Sequence, residues 1–101
     1  ETFVFLAKIV PKDASVNAAL GEVEMGLGKP EKALKKFKKA VELSPNNSKY
    51  IDFLIESAIL SSDKVTALDG VKMFEGLNPE SKKIDEFKKR IKDINIIKKS
   101  K

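Results

Sequence analysis

Three prolines stand at equal intervals along this chain and constrain its fold more than any other feature. Pro11, Pro45 and Pro79 are separated by 34 residues each. Residues two, five and eight positions before each proline repeat in the same register: Ile9, Leu43 and Leu77; Leu6, Ala40 and Phe74; Phe3, Phe37 and Val71. A period of this length is typical of a helix–turn–helix repeat. The sequence therefore predicts an all-α chain of stacked antiparallel helical hairpins.

The first full hairpin is predicted over residues 14–47. Asp13, or Ser15 just after it, can cap a helix that runs to about Leu27, and residues 28–30 form a Gly-Lys-Pro break. The next helix has an amphipathic stripe at helical spacing, made of Ala33, Leu34, Phe37, Ala40 and Val41. It ends before Pro45, because proline disfavours helical geometry in the residue before it. Residues 48–81 repeat this plan, with the break at 61–63.

The two ends of the chain differ from the full hairpins. Over residues 80–97 an apolar face of Ile84, Phe87, Ile91 and Ile94 opposes a charged face, which predicts a capping helix followed by a frayed tail at 98–101. Residues 1–11 are strongly apolar. The register places them as the second helix of a truncated repeat whose first helix is missing. Residues 1–101 then form a single domain.

The full hairpin carries the residues of a known repeat. At 14–47 these are Leu20-Gly21, Gly28, Ala33, Phe37, Ala40 and Pro45, and at 48–81 they are Leu54, Ala67 and Pro79. At these positions the chain resembles the tetratricopeptide repeat family. The resemblance implies a right-handed superhelix, here an α-solenoid fragment. It also implies a non-catalytic scaffold whose concave groove binds a peptide or helix of a partner protein.

The resemblance assigns the groove to the first helix of each hairpin. The implied partner-binding residues are Glu22, Met25, Lys49, Asp52, Phe53, Glu56, Ile59, Lys83 and Arg90. Three of them, Met25, Phe53 and Ile59, would accept apolar side chains. The three acids Glu22, Asp52 and Glu56 would meet basic groups, so we expect a neutral or basic partner. The alternative is that the apolar side chains pack between helices and that the acids are solvated.

A Lys-rich helix offers a different function. Residues 30–43 carry five Lys against two Glu, which suggests nucleic-acid or anionic-surface binding. The only aromatic residue among them, Phe37, lies on the apolar stripe, so base stacking lacks a platform. We therefore expect no nucleic-acid partner, and instead a solvated face with Glu31–Lys35 and Lys38–Glu42 pairs at helical spacing.

The composition disfavours several other functions. The chain has no His and no Cys, so the commonest general base and the usual soft metal ligands are missing. We expect no enzyme, cofactor or metal site. No apolar run approaches the roughly 18 residues that would span a bilayer, although an upstream signal or anchor stays open. An apolar patch near the start, made of Phe3, Phe5, Leu6 and Ile9, predicts self-association as a homodimer.

Overall fold

Five consecutive helices make up the described part of this protein. The computed structural model describes the backbone of residues 13–100 and the side chains of residues 13–94. The helices are α1 (Ala14–Gly26), α2 (Pro30–Leu43), α3 (Ser48–Leu60), α4 (Lys64–Leu77) and α5 (Lys83–Ser100). No strand occurs within these residues, and the all-α prediction is confirmed. The predicted helix over 1–11, with Phe3, Phe5, Leu6 and Ile9, lies outside the described residues.

Each hairpin begins with a side chain that caps its first helix. The Asp13 carboxylate accepts hydrogen bonds from the backbone N–H groups of Ser15 and Val16, at 2.9 and 3.2 Å. One repeat interval later, the Asn47 side chain accepts from the N–H groups of Lys49 and Tyr50, at 3.0 and 3.2 Å. These bonds satisfy donors that a helix N-terminus leaves free. Of the two predicted caps, Asp13 is the one that acts, and the Ser15 hydroxyl donates to it at 2.7 Å.

The turn inside each hairpin needs one residue with left-handed backbone geometry. Gly28 has a φ of 76° between α1 and α2, and Ser62 has a φ of 60° at the equivalent place between α3 and α4. Glycine adopts this region freely, whereas a residue with a Cβ adopts it at a cost of about 1 kcal/mol or more. The second hairpin therefore keeps the turn of the first, although it lacks the glycine.

The close approach of the two helices is achieved differently in each hairpin. In the first, Gly21 faces the Phe37 ring so closely that a Cβ added to Gly21 would lie 2.5 Å from Phe37 Cε1. In the second, Ile55 stands where Gly21 would be, and Gly70 of α4 makes room for it. A Cβ on Gly70 would lie 2.7 Å from Ile55 Cγ1. The small residue has moved to the other helix, so the tight packing is preserved.

Successive helices pack side by side, and α5 packs on both α4 and α3. A single buried cluster runs through the stack, from Ala33 of α2 to Ile91 of α5. Phe74 of α4 contacts Phe87 of α5 edge to face, with ring centroids 5.5 Å apart. The charged residues of α5 alternate with these buried positions, which is the pattern of a helix that closes a stack.

The bounds of α5 differ from the predicted capping helix. The helix begins at Lys83 and not at residue 80, because residues 79–82 form the turn that follows α4. There the Ser81 hydroxyl accepts a hydrogen bond from the Lys83 N–H at 3.2 Å. The backbone stays helical to Ser100, past the predicted end at 97, and the segment 83–100 contains no proline or glycine to end it.

Candidate binding face on the first helices

The nine predicted groove residues all lie on the first helices of the hairpins. Glu22 and Met25 belong to α1, five others to α3, and Lys83 and Arg90 to α5. Glu22, Lys49 and Lys83 are exposed, and the other six are half-buried. We call the surface that they form, together with Ala19, Gly26, Leu60 and Glu86, the first-helix face. None of the nine side chains is fully buried, so each of them can contact a partner.

Two ion pairs cross this face from α5 to α3. Lys83 Nζ donates to Asp52 Oδ2 at 2.6 Å, and Arg90 Nη1 donates to Glu56 Oε2 at 2.9 Å. The hydrogen bond to Asp52 raises the pKa of Lys83, and the one to Glu56 raises the pKa of Arg90. Two of the three acids that were predicted to meet a partner's basic groups are therefore paired within the chain.

The pairs belong to a larger group of alternating charges. Glu86 lies between Lys83 and Arg90 on α5, and its charge helps to raise the pKa of both cations. Three carboxylates thus surround two cations, which leaves one net negative charge at pH 7 (+2 − 3 = −1). Because the five groups alternate in sign, this end of the face is nearly neutral to an approaching ligand.

Glu22 differs from the other two predicted acids. It is exposed on α1, one repeat interval before Glu56. Within the described residues it makes no ion pair and no side-chain hydrogen bond. It is therefore the predicted acid that is free to meet a basic group of a partner.

Two side chains contact the ring of Phe53. The ring stacks against that of Phe37, with centroids 5.1 Å apart and planes inclined by 27°. The Lys49 ammonium also lies over the ring, 5.8 Å from its centroid, which is within the range of a cation–π contact. Phe53 is half-buried, so it contributes a partly accessible apolar floor to the face.

The apolar residues of the face divide into packed and open ones. Met25, Phe53 and Ile59 all pack against the buried core, as the alternative interpretation predicts. Leu60, in contrast, is 56% exposed. It lies seven residues after Phe53, so helical geometry places both on one face of α3. Spacing in the sequence already places Leu60 on the predicted groove lining beside Phe53, whereas its exposure depends on the stack and comes from the structure.

The Lys-rich surface of α2 is more open than predicted. Within the described residues its ion pair joins Lys39 Nζ to Glu42 at 3.9 Å, while the predicted pairs Glu31–Lys35 and Lys38–Glu42 do not form. Surface pairs of this type gain little free energy in water, so their long side chains are not fixed by helical spacing alone. Phe37, the aromatic residue within this segment, is 1% exposed and cannot stack on a base.

Two other kinds of functional element are absent from the described residues. No group of three or more acidic, His or Cys side chains there is arranged to hold a metal ion. None of the helices in that part is both long and apolar enough to cross a membrane.

Two hairpins in one 34-residue register, followed by a third first helix, define an α-solenoid built of helical repeats. The sequence model of the tetratricopeptide repeat matches residues 14–47, which is the first hairpin. This match assigns the first hairpin to the tetratricopeptide repeat family. A search of the curated proteins found no match. Members of this family generally mediate protein–protein interactions and are typically non-catalytic scaffolds.

Proposed function

We propose that the first-helix face binds a segment of a partner protein and that the chain acts as a non-catalytic scaffold. The observation that supports this is the accessibility of nine side chains on three first helices, α1, α3 and α5. Beneath them, buried residues such as Phe37 and Ile55 hold the helices in place. A rigid scaffold that presents accessible side chains loses little conformational entropy when it binds.

The charge distribution favours a neutral or basic partner. Glu22 is unpaired within the described residues, and the alternating cluster on α3 and α5 carries one net negative charge. An acidic partner would meet repulsion at Glu22, and it would have to displace Asp52 or Glu56 to reach Lys83 or Arg90, which leaves Lys49 as the accessible cation among the nine residues. A partner with basic or uncharged side chains near Glu22 and the α3–α5 cluster meets neither obstacle.

A display library of random 16-residue peptides tests the proposal and does not require the partner to be identified first. Selected peptides are synthesised, and their affinities are measured against the chain and four variants. Glu22→Lys and Leu60→Glu alter the first-helix face. As controls at exposed positions of α4, Glu75→Lys makes the same charge reversal and Val65→Glu a similar apolar-to-acidic change. We expect the first two variants to weaken binding at least about tenfold and the α4 variants to leave it within about twofold.

Two results would contradict the proposal. The first is that no peptide is enriched over a library selected on an unrelated helical protein. The second is that the α4 variants weaken binding as much as the face variants do, which would place the binding surface elsewhere.

Nucleic-acid or anionic-surface binding by α2 is the alternative. Lys32, Lys35 and Lys38 are exposed, and within the described residues they make no ion pair. Binding of a 20-base-pair DNA duplex is measured between 50 and 200 mM salt. Submicromolar affinity that is lost steeply with salt, and that falls on Lys35→Gln and Lys38→Gln, would favour this alternative over the scaffold.

Self-association through Phe3, Phe5, Leu6 and Ile9 also stays a proposal, because these residues lie outside the described part. Their apolar character supports it. Light scattering over a hundredfold range of protein concentration tests it, with Phe5→Ser and Ile9→Ser as variants. A monomeric mass at every concentration would contradict it.

A further inference from the structure

Resting on the proposed function, we infer that the first-helix face binds a partner α-helix with two apolar residues seven positions apart and Lys or Arg midway between them. The inference depends on which residues of α1 and α3 remain free after the ion pairs have formed. It concerns the part of the face between these two helices, because Lys83 and Arg90 of α5 already occupy the part between α3 and α5.

The edge of α3 on the first-helix face has the pattern apolar, acidic, apolar. Phe53, Glu56 and Leu60 are spaced by three and four residues, so they lie within one narrow face of the helix. At a rise of 1.5 Å per residue, Phe53 and Leu60 are about 10.5 Å apart along the axis. A partner helix lying along α3 presents apolar side chains at the same separation when they are seven residues apart.

The matching positions of α1 leave room beside the two apolar residues. One repeat interval before Phe53 and Leu60 stand Ala19 and Gly26, both exposed. A Cβ added to Gly26 would meet nothing within 4 Å. The 34-residue register that brings Glu56 to Arg90 also aligns these two small positions of α1 with Phe53 and Leu60 of α3. A partner's side chains that reach Phe53 and Leu60 would then meet no large side chain on α1.

A free carboxylate lies between the two small positions of α1. Glu22 stands one repeat interval before Glu56 and makes no ion pair within the described residues, whereas Glu56 accepts from Arg90 at 2.9 Å. A cation placed midway between the partner's apolar residues would meet Glu22, with Glu56 contributing at longer range. An acidic residue at that place would face like charge, so the partner's middle position should be Lys or Arg.

Three designed 18-residue helical peptides test this pattern, with binding followed by fluorescence anisotropy. The first peptide has two Leu residues seven positions apart and a Lys three positions after the first Leu, and its other residues are Ala and Gln. The second replaces Lys with Glu, and the third replaces both Leu with Ser. We expect the Lys peptide to bind at least about tenfold more tightly than either of the others.

Variants of the chain assign the effect to named residues. Glu22→Lys should remove or reverse the preference for the Lys peptide over the Glu peptide, while Glu75→Lys on α4 should leave the preference unchanged. Leu60→Ser should weaken binding of the Lys and Glu peptides equally, and Val65→Ser on α4 should weaken neither. Equal binding of the Lys and Glu peptides would overturn the inference, and so would a preference that survives Glu22→Lys.

The outcome is separable from that of the proposed function. If the random library yields peptides that depend on the first-helix face but lack this pattern, the scaffold proposal stands and the inferred ligand is wrong. If the library yields no such peptides and the designed set does not bind either, both fail.

Discussion

Arg90 donates to Glu56 at 2.9 Å, and these two residues occupy the same position in successive repeat intervals, 34 residues apart. The pair joins the first helix of the second hairpin to α5. Together with Lys83 and Asp52, it bridges α3 and α5 at two points on the face that we assign to partner binding. The same contacts therefore affect both the attachment of α5 and the charge that a ligand meets.

A double-mutant cycle should give a small coupling energy for this pair. We expect Glu56→Gln, Arg90→Gln and the double variant to yield a coupling below about 1 kcal/mol, because both side chains are roughly a third exposed or more. The coupling should shrink further in 1 M NaCl, where exposed charges are screened. Urea unfolding of the four proteins at two salt concentrations provides the measurement. A coupling of several kcal/mol that is independent of salt would contradict the interpretation of a surface pair.

Two glycines of α1 should respond oppositely to the same substitution. Gly21→Ala places a Cβ 2.5–2.8 Å from three atoms of the buried Phe37 ring, so we expect a net loss of at least about 1 kcal/mol in unfolding free energy. Gly26→Ala meets nothing within 4 Å and should stabilise the protein by about 0.5–1 kcal/mol, since alanine favours helix. Thermal and urea unfolding of both variants measure the difference. The expected order would be wrong if Gly21→Ala proved the more stable variant.

The sequence predicted most of the fold because its informative residues act locally. The prolines, the Asp13 cap and the Gly28 turn each determine backbone geometry within a few residues, and the 34-residue register orders the helices. The packing of Ile55 against Gly70 could not be predicted in this way, because these two residues occupy different positions of the 34-residue repeat. It becomes visible only when the two helices are in contact.

The candidate site was predicted less completely than the fold. The repeat register placed all nine residues on the first helices, since position in a helix follows from spacing alone. It could not show that Asp52 and Glu56 are paired with α5, because such pairs depend on rotamers and on the distance between helices. Nor could it show that Leu60 is exposed.

Phe74 should contribute more to the attachment of α5 than its neighbour Leu77. Phe74 is 6% exposed and contacts Phe87 edge to face, whereas Leu77 is 39% exposed. We expect Phe74→Ala to cost about 3–5 kcal/mol and Leu77→Ala to cost less than about 1.5 kcal/mol. Because Phe74→Ala could unfold the chain, Phe74→Leu provides a milder test, with an intermediate loss. Chemical unfolding followed by circular dichroism gives all three values. Equal losses for Phe74→Leu and Leu77→Ala would contradict the assigned role.

Asp13 should make the stability of α1 sensitive to acid. The Ser15 hydroxyl and the N–H groups of Val16 and Ser15 hydrogen-bond the carboxylate and hold the pKa of Asp13 below its ordinary value of 3.8. A carboxyl whose pKa is lower in the folded state stabilises the fold above its unfolded pKa, and this stabilisation is lost as the pH falls through the folded pKa. The loss should therefore occur below about pH 4.

Asp13→Asn and Ser15→Ala separate the charge of the cap from its geometry. Asparagine is an equally good cap without a titrating group, so the stability of the original protein relative to Asp13→Asn should decline as the pH is lowered from 5 to 2. Ser15→Ala removes the strongest cause of the shift, so the pKa of Asp13 measured by NMR should rise towards 3.8. If the pKa of Asp13 were unchanged in Ser15→Ala, the hydroxyl contact at 2.7 Å could not be what lowers it.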